Sequence, residues 1–155
     1  MKKYILLLII PFLSFGQNDL IEITEDEEIT EILDFGIVET LPIFPGCETS
    51  SDSEIEIDRQ EKLRCFNAGV INYIVDEFKY PEEAKTAGIS EKIFVTFIID
   101  KTGLIKNAKV VRGDNEYLKE EALRLVNGLP KMTPATQRNK PVSVSYTIPI
   151  NFLLQ

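Results

Sequence analysis

The sequence predicts an α+β fold: a three-stranded antiparallel sheet with two helices on one face, preceded by a further helix. Three observations support this prediction. Glu91–Ile99 is rich in β-branched and aromatic residues, the turn sequence Asp100–Gly103 follows it directly, and Val142–Leu154 alternates apolar with polar residues almost without exception. At 155 residues the chain is long enough for one domain with a hydrophobic core.

The N-terminus has the pattern of a secretory signal peptide. Two lysines precede an apolar run at Tyr4–Phe15, and Ser14 and Gly16 supply small residues before a cleavage point. A membrane-spanning helix needs about 20 apolar residues, whereas this run has about twelve. We therefore predict a signal peptide at residues 1–16 and release into the periplasm. Tethering to the inner membrane is the alternative if the signal is not cleaved.

Charge divides the rest of the chain into two parts. Gln17–Lys79 carries 4 basic and 17 acidic side chains, a net of −13, whereas Tyr80–Gln155 carries 11 basic and 8 acidic ones, a net of +3. The acidic leader at residues 17–34 has few aromatic residues, which favours disorder. It is either a solubilising tail or a screen that folds back on the basic domain. Nucleic acid is a poor partner, because phosphate binding needs a clustered positive surface.

Residues 35–79 form an N-terminal extension with a predicted short strand, Phe35–Leu41, and a predicted helix, Glu61–Phe78, in which apolar residues recur every three or four positions. Cys47 and Cys65 are the only cysteines. In an oxidising compartment they can pair, which adds about 3 kcal/mol in the chain-entropy model; the alternative is two buried thiols. Metal binding is not expected, because two thiols without a histidine make a poor site.

The domain at residues 80–155 is predicted to contain a helix, two strands, a second helix and a third strand. The helices are predicted from their start and stop signals and from an apolar stripe on the second one. In chain order the predicted elements are a short helix from Pro81 to Gly88, strand Glu91–Ile99, strand Leu104–Arg112, a helix capped by Asp114 or Asn115 and ended by Gly128 and Pro130, a polar connection at Lys131–Lys140, and strand Val142–Leu154.

The connections set the predicted order of the sheet as second–first–third strand. The hairpin makes the first two strands antiparallel neighbours, and the crossover helix brings the third strand to the free side of the first. Val142–Leu154 therefore lies on an edge, which suits Pro149, since proline lacks a backbone donor. Such an edge can bind an extended peptide by strand addition. The alternatives are a cover formed by Phe35–Leu41 and a homodimer that pairs through this edge.

Several motifs occur in an order and spacing that resemble a known family. They are Tyr80-Pro81-Glu82-Glu83-Ala84-Lys85, Phe94–Asp100, Val110–Gly113, Glu120–Leu123, Leu129-Pro130-Lys131, Lys140-Pro141-Val142 and Tyr146–Phe152. Together they resemble the C-terminal domain of TonB energy transducers. Val38–Gly46 further resembles the lead-in of the Bacteroidetes-type branch. We expect the chain to lack the usual membrane anchor and proline-rich spacer of that family.

The resemblance implies that the domain binds the extended N-terminal box of an outer-membrane receptor along its last strand. The implied role is a periplasmic module associated with energy-dependent transport across the outer membrane, with the ExbB–ExbD motor as an indirect partner only. The candidate partner-binding residues are Val142, Ser143, Val144, Ser145, Tyr146, Thr147, Ile148 and Ile150, together with Lys79 and Tyr80.

An enzyme is not predicted, and neither is a cofactor. Glu82 and Glu83, like Glu120 and Glu121, are adjacent carboxylates, but neighbours on a helix do not face each other. Without histidine, the chain has few groups for acid–base or nucleophilic catalysis. The alternative function is a small secreted structural or inhibitory protein with a disulfide, which would bind an envelope partner through its cysteine-bounded loop.

Overall fold

The computed structural model describes residues 32–48 and 59–154. The predicted signal peptide and residues 17–31 of the acidic leader lie outside the described residues. In chain order the elements are β1 (Ile32–Asp34), α1 (Arg59–Glu77), α2 (Glu82–Thr86), β2 (Glu91–Ile99), β3 (Ile105–Arg112), α3 (Glu116–Asn127), β4 (Ala135–Gln137) and β5 (Lys140–Phe152).

The sheet has the strand order β1-β5-β2-β3, with β4 paired to β5. Strand β2 is central, as its apolar composition predicted. It pairs antiparallel with β5 in an unbroken register from Glu91 opposite Phe152 to Ile99 opposite Val144. On its other side it pairs antiparallel with β3, with two register shifts. The three strands predicted from the sequence are therefore present and adjacent in the predicted order.

The prediction of a sheet with only three antiparallel strands is wrong. Strand β1 joins the sheet parallel to β5, and β4 forms a hairpin with β5. Both additional strands have three residues, too few to produce a recognisable alternation. The hairpin turns through Arg138 and Asn139, whose φ angles of 50° and 59° are those of a left-handed turn, and no glycine marks it in the sequence.

The strand predicted at Phe35–Leu41 is also misplaced. The strand is Ile32–Asp34, and the residues after it form two isolated bridges, Thr40 to Thr136 and Ile43 to Thr133. The apolar residues in this segment do not pack as a strand face. They belong to a loop that buries Phe35, Val38, Leu41 and Phe44 in the core.

The helices pack on one face of the sheet because each has a single buried stripe. Asn115 caps the N-terminus of helix α3, and its side-chain oxygen accepts a hydrogen bond from the Leu118 backbone N–H at 3.1 Å. Alternate residues of β2 are buried, whereas Phe94, Thr96 and Ile98 on its other face are only partly covered. The buried helix residues are Phe66, Val70 and Ile74 of α1, Ala84 of α2, and Leu118, Ala122, Leu125 and Val126 of α3.

The N-terminal extension is fastened to α1 by a covalent bond and by hydrogen bonds. Cys47 and Cys65 form a disulfide, which settles the choice between a bridge and two thiols. The Arg59 guanidinium donates to the backbone carbonyls of Val38 at 2.8 Å, Glu39 at 3.1 Å and Gly36 at 3.2 Å. These bonds fix the path of the chain that leaves β1, and so they position β1 against β5.

Candidate functional site

Strand β5 is covered by its own chain over its first half. Lys140–Val142 pairs with β4, and Ser143–Ser145 pairs with Ile32–Asp34 of β1. After Asp34 the chain turns away from the edge, with the Ile37 N–H bonded to the Asp34 carbonyl at 3.1 Å. Within residues 32–48 and 59–154, no strand pairs with the outer edge of β5 beyond Ser145. We call Tyr146–Phe152 the open segment.

Pro149 shows which backbone groups of the open segment point outward. Neighbouring pairs in an antiparallel ladder alternate between hydrogen-bonded and non-hydrogen-bonded positions. Because Pro149 has no N–H, it forms a non-hydrogen-bonded pair with Phe94, and its carbonyl points away from β2. The same alternation turns the N–H and C=O groups of Thr147 and Asn151 outward. The open segment therefore offers two donors and three acceptors along one edge.

An apolar groove lies beside the open segment, between α1 and β5. Its volume is about 330 Å³. Three of its apolar side chains are unusually exposed: Ile71 at 54%, Val75 at 67% and Leu153 at 63%. Contiguous exposed apolar surface of this kind marks interaction sites. The groove is lined by Ile71, Ile74, Val75, Phe78, Ile148, Pro149, Ile150, Asn151 and Leu153, none of which is charged.

Tyr146 stands at the boundary between the covered half and the open segment. Its ring centroid lies 4.7 Å from that of Phe35, 5.4 Å from Phe66 and 5.7 Å from Phe97. Its hydroxyl donates to the Asn67 side-chain oxygen at 2.7 Å. Burial raises the pKa of the Tyr146 hydroxyl above its ordinary value. This aromatic cluster joins the residue after β1 to α1, β2 and β5 at the point where the pairing with β1 ends.

Lys79 and Tyr80 lie at the other end of the open segment. Tyr80 packs edge-on against Phe152 with ring centroids 6.1 Å apart, and its hydroxyl donates to the Ile89 carbonyl. The backbone N–H of Lys79 donates to the Glu121 carboxylate at 2.9 Å, while the residue itself is exposed. Arg124 completes this junction by binding the same carboxylate at 2.7 Å. Tyr80 is thus partly buried by packing, whereas Lys79 is exposed.

The sequence-predicted site residues fall into three groups in the structure. The first four residues on β5 lie where β4 or β1 pairs with the strand, and the next four lie in the open segment, where Thr147 has an exposed side chain. The last two, Lys79 and Tyr80, lie near the far end of that segment. In chain order along β5 they are Val142, Ser143, Val144 and Ser145 under the cover, then Tyr146, Thr147, Ile148 and Ile150 along the open edge.

The groove residues of α1 were not predicted, although the sequence contains a signal for them. Ile71 and Val75 widen the apolar stripe of α1 beyond the three residues that the helix buries. Leu153 is the single apolar residue on the polar side of the β5 alternation. Apolar residues in excess of what a core-facing stripe needs indicate a second apolar surface.

A larger cavity, about 500 Å³, lies between the extension and the loop before β4. Arg59 lines it, but its guanidinium is engaged by backbone carbonyls. Across the described part of the chain, no group of histidine, cysteine, aspartate and glutamate residues is arranged to hold a metal ion. None of the helices described there is both long and apolar enough to cross a membrane.

The chain matches the family described as Gram-negative bacterial TonB protein C-terminal over residues 76–154. The chain belongs to this family. Membership gives it a TonB-like role in transport at the outer membrane and places it in the cell envelope. The resemblance inferred from the motifs is thereby confirmed. Helix α1, at residues 59–77, lies almost wholly before the part that matches the TonB family.

Solved structures of TonB C-terminal domains are similar to this chain at low identity. The solution structure of the Helicobacter pylori TonB C-terminal domain, residues 179–285, is 22% identical, covers 70% of this chain and 98% of that chain, and has a TM-score of 0.48. The Pseudomonas aeruginosa TonB C-terminal domain is 20% identical, covers 50% and 78%, and has a TM-score of 0.37. Among curated proteins, none matches the chain.

Proposed function

We propose that this chain is a periplasmic TonB-like module that binds an extended peptide by strand addition to the open segment of β5. One observation carries the proposal. The outward N–H and C=O groups of Thr147 and Asn151, and the outward carbonyl of Pro149, have no strand partner among the described residues. An extended peptide satisfies such a row of groups with its own backbone, as in other β-augmentation complexes.

The proposed ligand is the N-terminal box of an outer-membrane TonB-dependent receptor. Family membership supports this choice, since the family acts in outer-membrane transport. In this proposal the signal peptide at residues 1–16 directs export of the chain. The chain interacts with the ExbB–ExbD motor only indirectly. The function is recognition rather than catalysis, and it requires no cofactor.

Thr147→Pro tests the proposal directly. The substitution removes an outward backbone donor from the middle of the open segment. Pro149, two residues later on the same edge, shows that the ladder to β2 accepts proline at an outward position. We expect the affinity for a receptor-box peptide to fall about tenfold or more. Isothermal titration calorimetry with the mature chain and the peptide measures the change.

Thr147→Val is the matched control for this experiment. It retains the N–H, and it loses the Thr147 hydroxyl contact to Thr96 in the same way as the proline variant does. We expect it to bind like the unmodified chain. If both variants bind equally while both fold, the edge is not the site. Peptide binding that depends instead on the loop between Cys47 and Cys65 would support the alternative of a secreted disulfide protein with another binding surface.

A further inference from the structure

One wall of the groove beside the open segment is built by residues of α1 that precede the TonB family match. Helix α1 supplies Ile71, Ile74 and Val75, whereas the match begins at residue 76. We propose that this groove selects the side chains of the bound peptide. It requires bulky apolar residues at alternate positions and tolerates polar residues between them. This inference rests on the proposed function, because the peptide must first lie along β5.

The geometry of strand addition dictates the alternation. Successive side chains of a strand point to opposite faces of the sheet. A strand added beside β5 therefore directs every second side chain to the helix-bearing face, on which Ile148 and Ile150 are buried. On that face the added side chains meet Ile71 and Val75, the exposed apolar residues of α1. The other side chains of the peptide face solvent and are free to be polar.

The occupant of the groove is an extended segment rather than a helix. A docked helix bonds its own backbone internally, and it would leave the outward groups of Thr147 and Asn151 without partners. The uncharged lining also disfavours a strongly acidic segment such as the leader at residues 17–31, since its carboxylates would lose water without gaining a basic partner.

A second copy of the chain is a poorer fit than a peptide. Two-fold pairing of β5 with another β5 uses the same edge on both chains. Each edge then contributes Pro149, so two backbone donors are missing from the ladder between the two copies. A peptide without proline supplies a donor at each residue whose backbone faces β5. The geometry therefore favours a separate extended chain with alternating apolar residues.

Two peptides of identical composition test the proposal. The first, about eight residues long, alternates valine or leucine with serine or threonine, and the second places the same residues in one apolar block and one polar block. We expect the alternating peptide to bind the mature chain about tenfold or more tightly than the block peptide. Val75→Asp should lower the affinity for the alternating peptide about tenfold, because it places a charge in the groove.

Val111→Asp is the matched control. Val111 is 54% exposed, comparable to Val75 at 67%, and lies on β3 at the opposite side of the sheet. It should leave peptide affinity unchanged. Val75→Thr, which keeps the shape of the side chain, provides a second groove variant and should weaken binding about threefold. Thermal unfolding checks that each variant is folded.

The outcomes separate the two proposals. If Thr147→Pro abolishes binding while the two peptides bind equally and Val75→Asp has no effect, the edge is the site but the groove does not select side chains. If neither peptide nor any receptor box responds to Thr147→Pro, the proposed function fails, and the inference about the groove fails with it. A homodimer could also form through the groove. If Val75→Asp dissociates it and the peptide does not compete with its formation, the groove belongs to a second copy of the chain.

Discussion

The two halves of β5 belong to one continuous strand, yet they have opposite surroundings. Lys140–Val142 pairs with β4, the outer edge of Ser143–Ser145 pairs with β1, and Ser143 is buried although it is polar. In Tyr146–Phe152 the outer edge has no strand partner within the described residues, and an apolar groove runs beside it. The difference shows that protection of a sheet edge is set locally, over a few residues, and not strand by strand.

The opposite edge of the sheet, formed by β3, differs from the open segment of β5. Strand β3 presents Lys106 and Lys109, its pairing with β2 is interrupted by register shifts, and Asn107 has a φ of 50°. Charged side chains and irregular backbone both discourage further pairing. The open segment of β5 has a regular register and only Pro149 as a deterrent. Of the two free edges, that of β5 is the one suited to receive another strand.

Among the variants that test the difference between the two halves of β5, Phe35→Ala is expected to have the largest effect. The Phe35 ring packs against Tyr146 and against Phe66, at centroid distances of 4.7 and 4.9 Å, and it anchors the end of β1. Its truncation should lower the free energy of unfolding by about 3 kcal/mol. Denaturant titration measures this loss.

Hydrogen exchange distinguishes local release from general weakening in the Phe35→Ala variant. If β1 leaves the edge, the Ser145 amide should lose protection while the Ile148 amide, which points to β2, keeps it. Phe35→Leu is the control, and in this variant the Ser145 and Ile148 amides should both retain most of their protection. Equal loss of protection in the two halves would show that β1 does not form a separate cover.

Arg59→Ala should have an intermediate effect. The guanidinium bonds three backbone carbonyls in the segment after β1, including those of Val38 and Gly36. Leaving these acceptors without a charged donor should cost about 1.5–3 kcal/mol. Arg59→Lys should recover only part of the loss, because an ammonium group cannot reproduce the fork geometry. Full recovery by lysine would mean that charge alone, and not the geometry, holds the segment. Chemical denaturation of the three proteins measures the differences.

The smallest expected effect concerns Tyr146, at the boundary between the halves, and the pH dependence of its contribution to stability. Burial raises the pKa of its hydroxyl in the folded state. Its contribution to stability is therefore complete below the ordinary tyrosine pKa of about 10 and is lost as pH rises through the higher folded value.

Comparison with Tyr146→Phe measures this contribution. At pH 7 the variant should be about 1 kcal/mol less stable, because it lacks the hydrogen bond to Asn67. The gap should narrow between about pH 9 and pH 11, since the phenylalanine variant has no proton to lose at this position. A gap that stays constant over that range would show that Tyr146 does not titrate differently in the folded and unfolded states.

The sequence by itself determined the elements whose signals are local. The apolar composition of Glu91–Ile99 placed β2 in the centre, the alternation after Val142 identified β5, and Asn115 marked the start of α3. These predictions succeeded because a helix or strand with one buried face must repeat its apolar residues at the period of its own geometry.

Only the tertiary structure decided how much of β5 is open. The pairing of Ile32–Asp34 with Ser143–Ser145 joins segments more than a hundred residues apart, and three residues are too few to carry a pattern. The groove likewise depends on which side of α1 meets the sheet, so that Ile71 and Val75 are left exposed beside β5. Edge coverage and groove shape arise from packing between distant segments, and the periodicity of one segment contains no information about its neighbours.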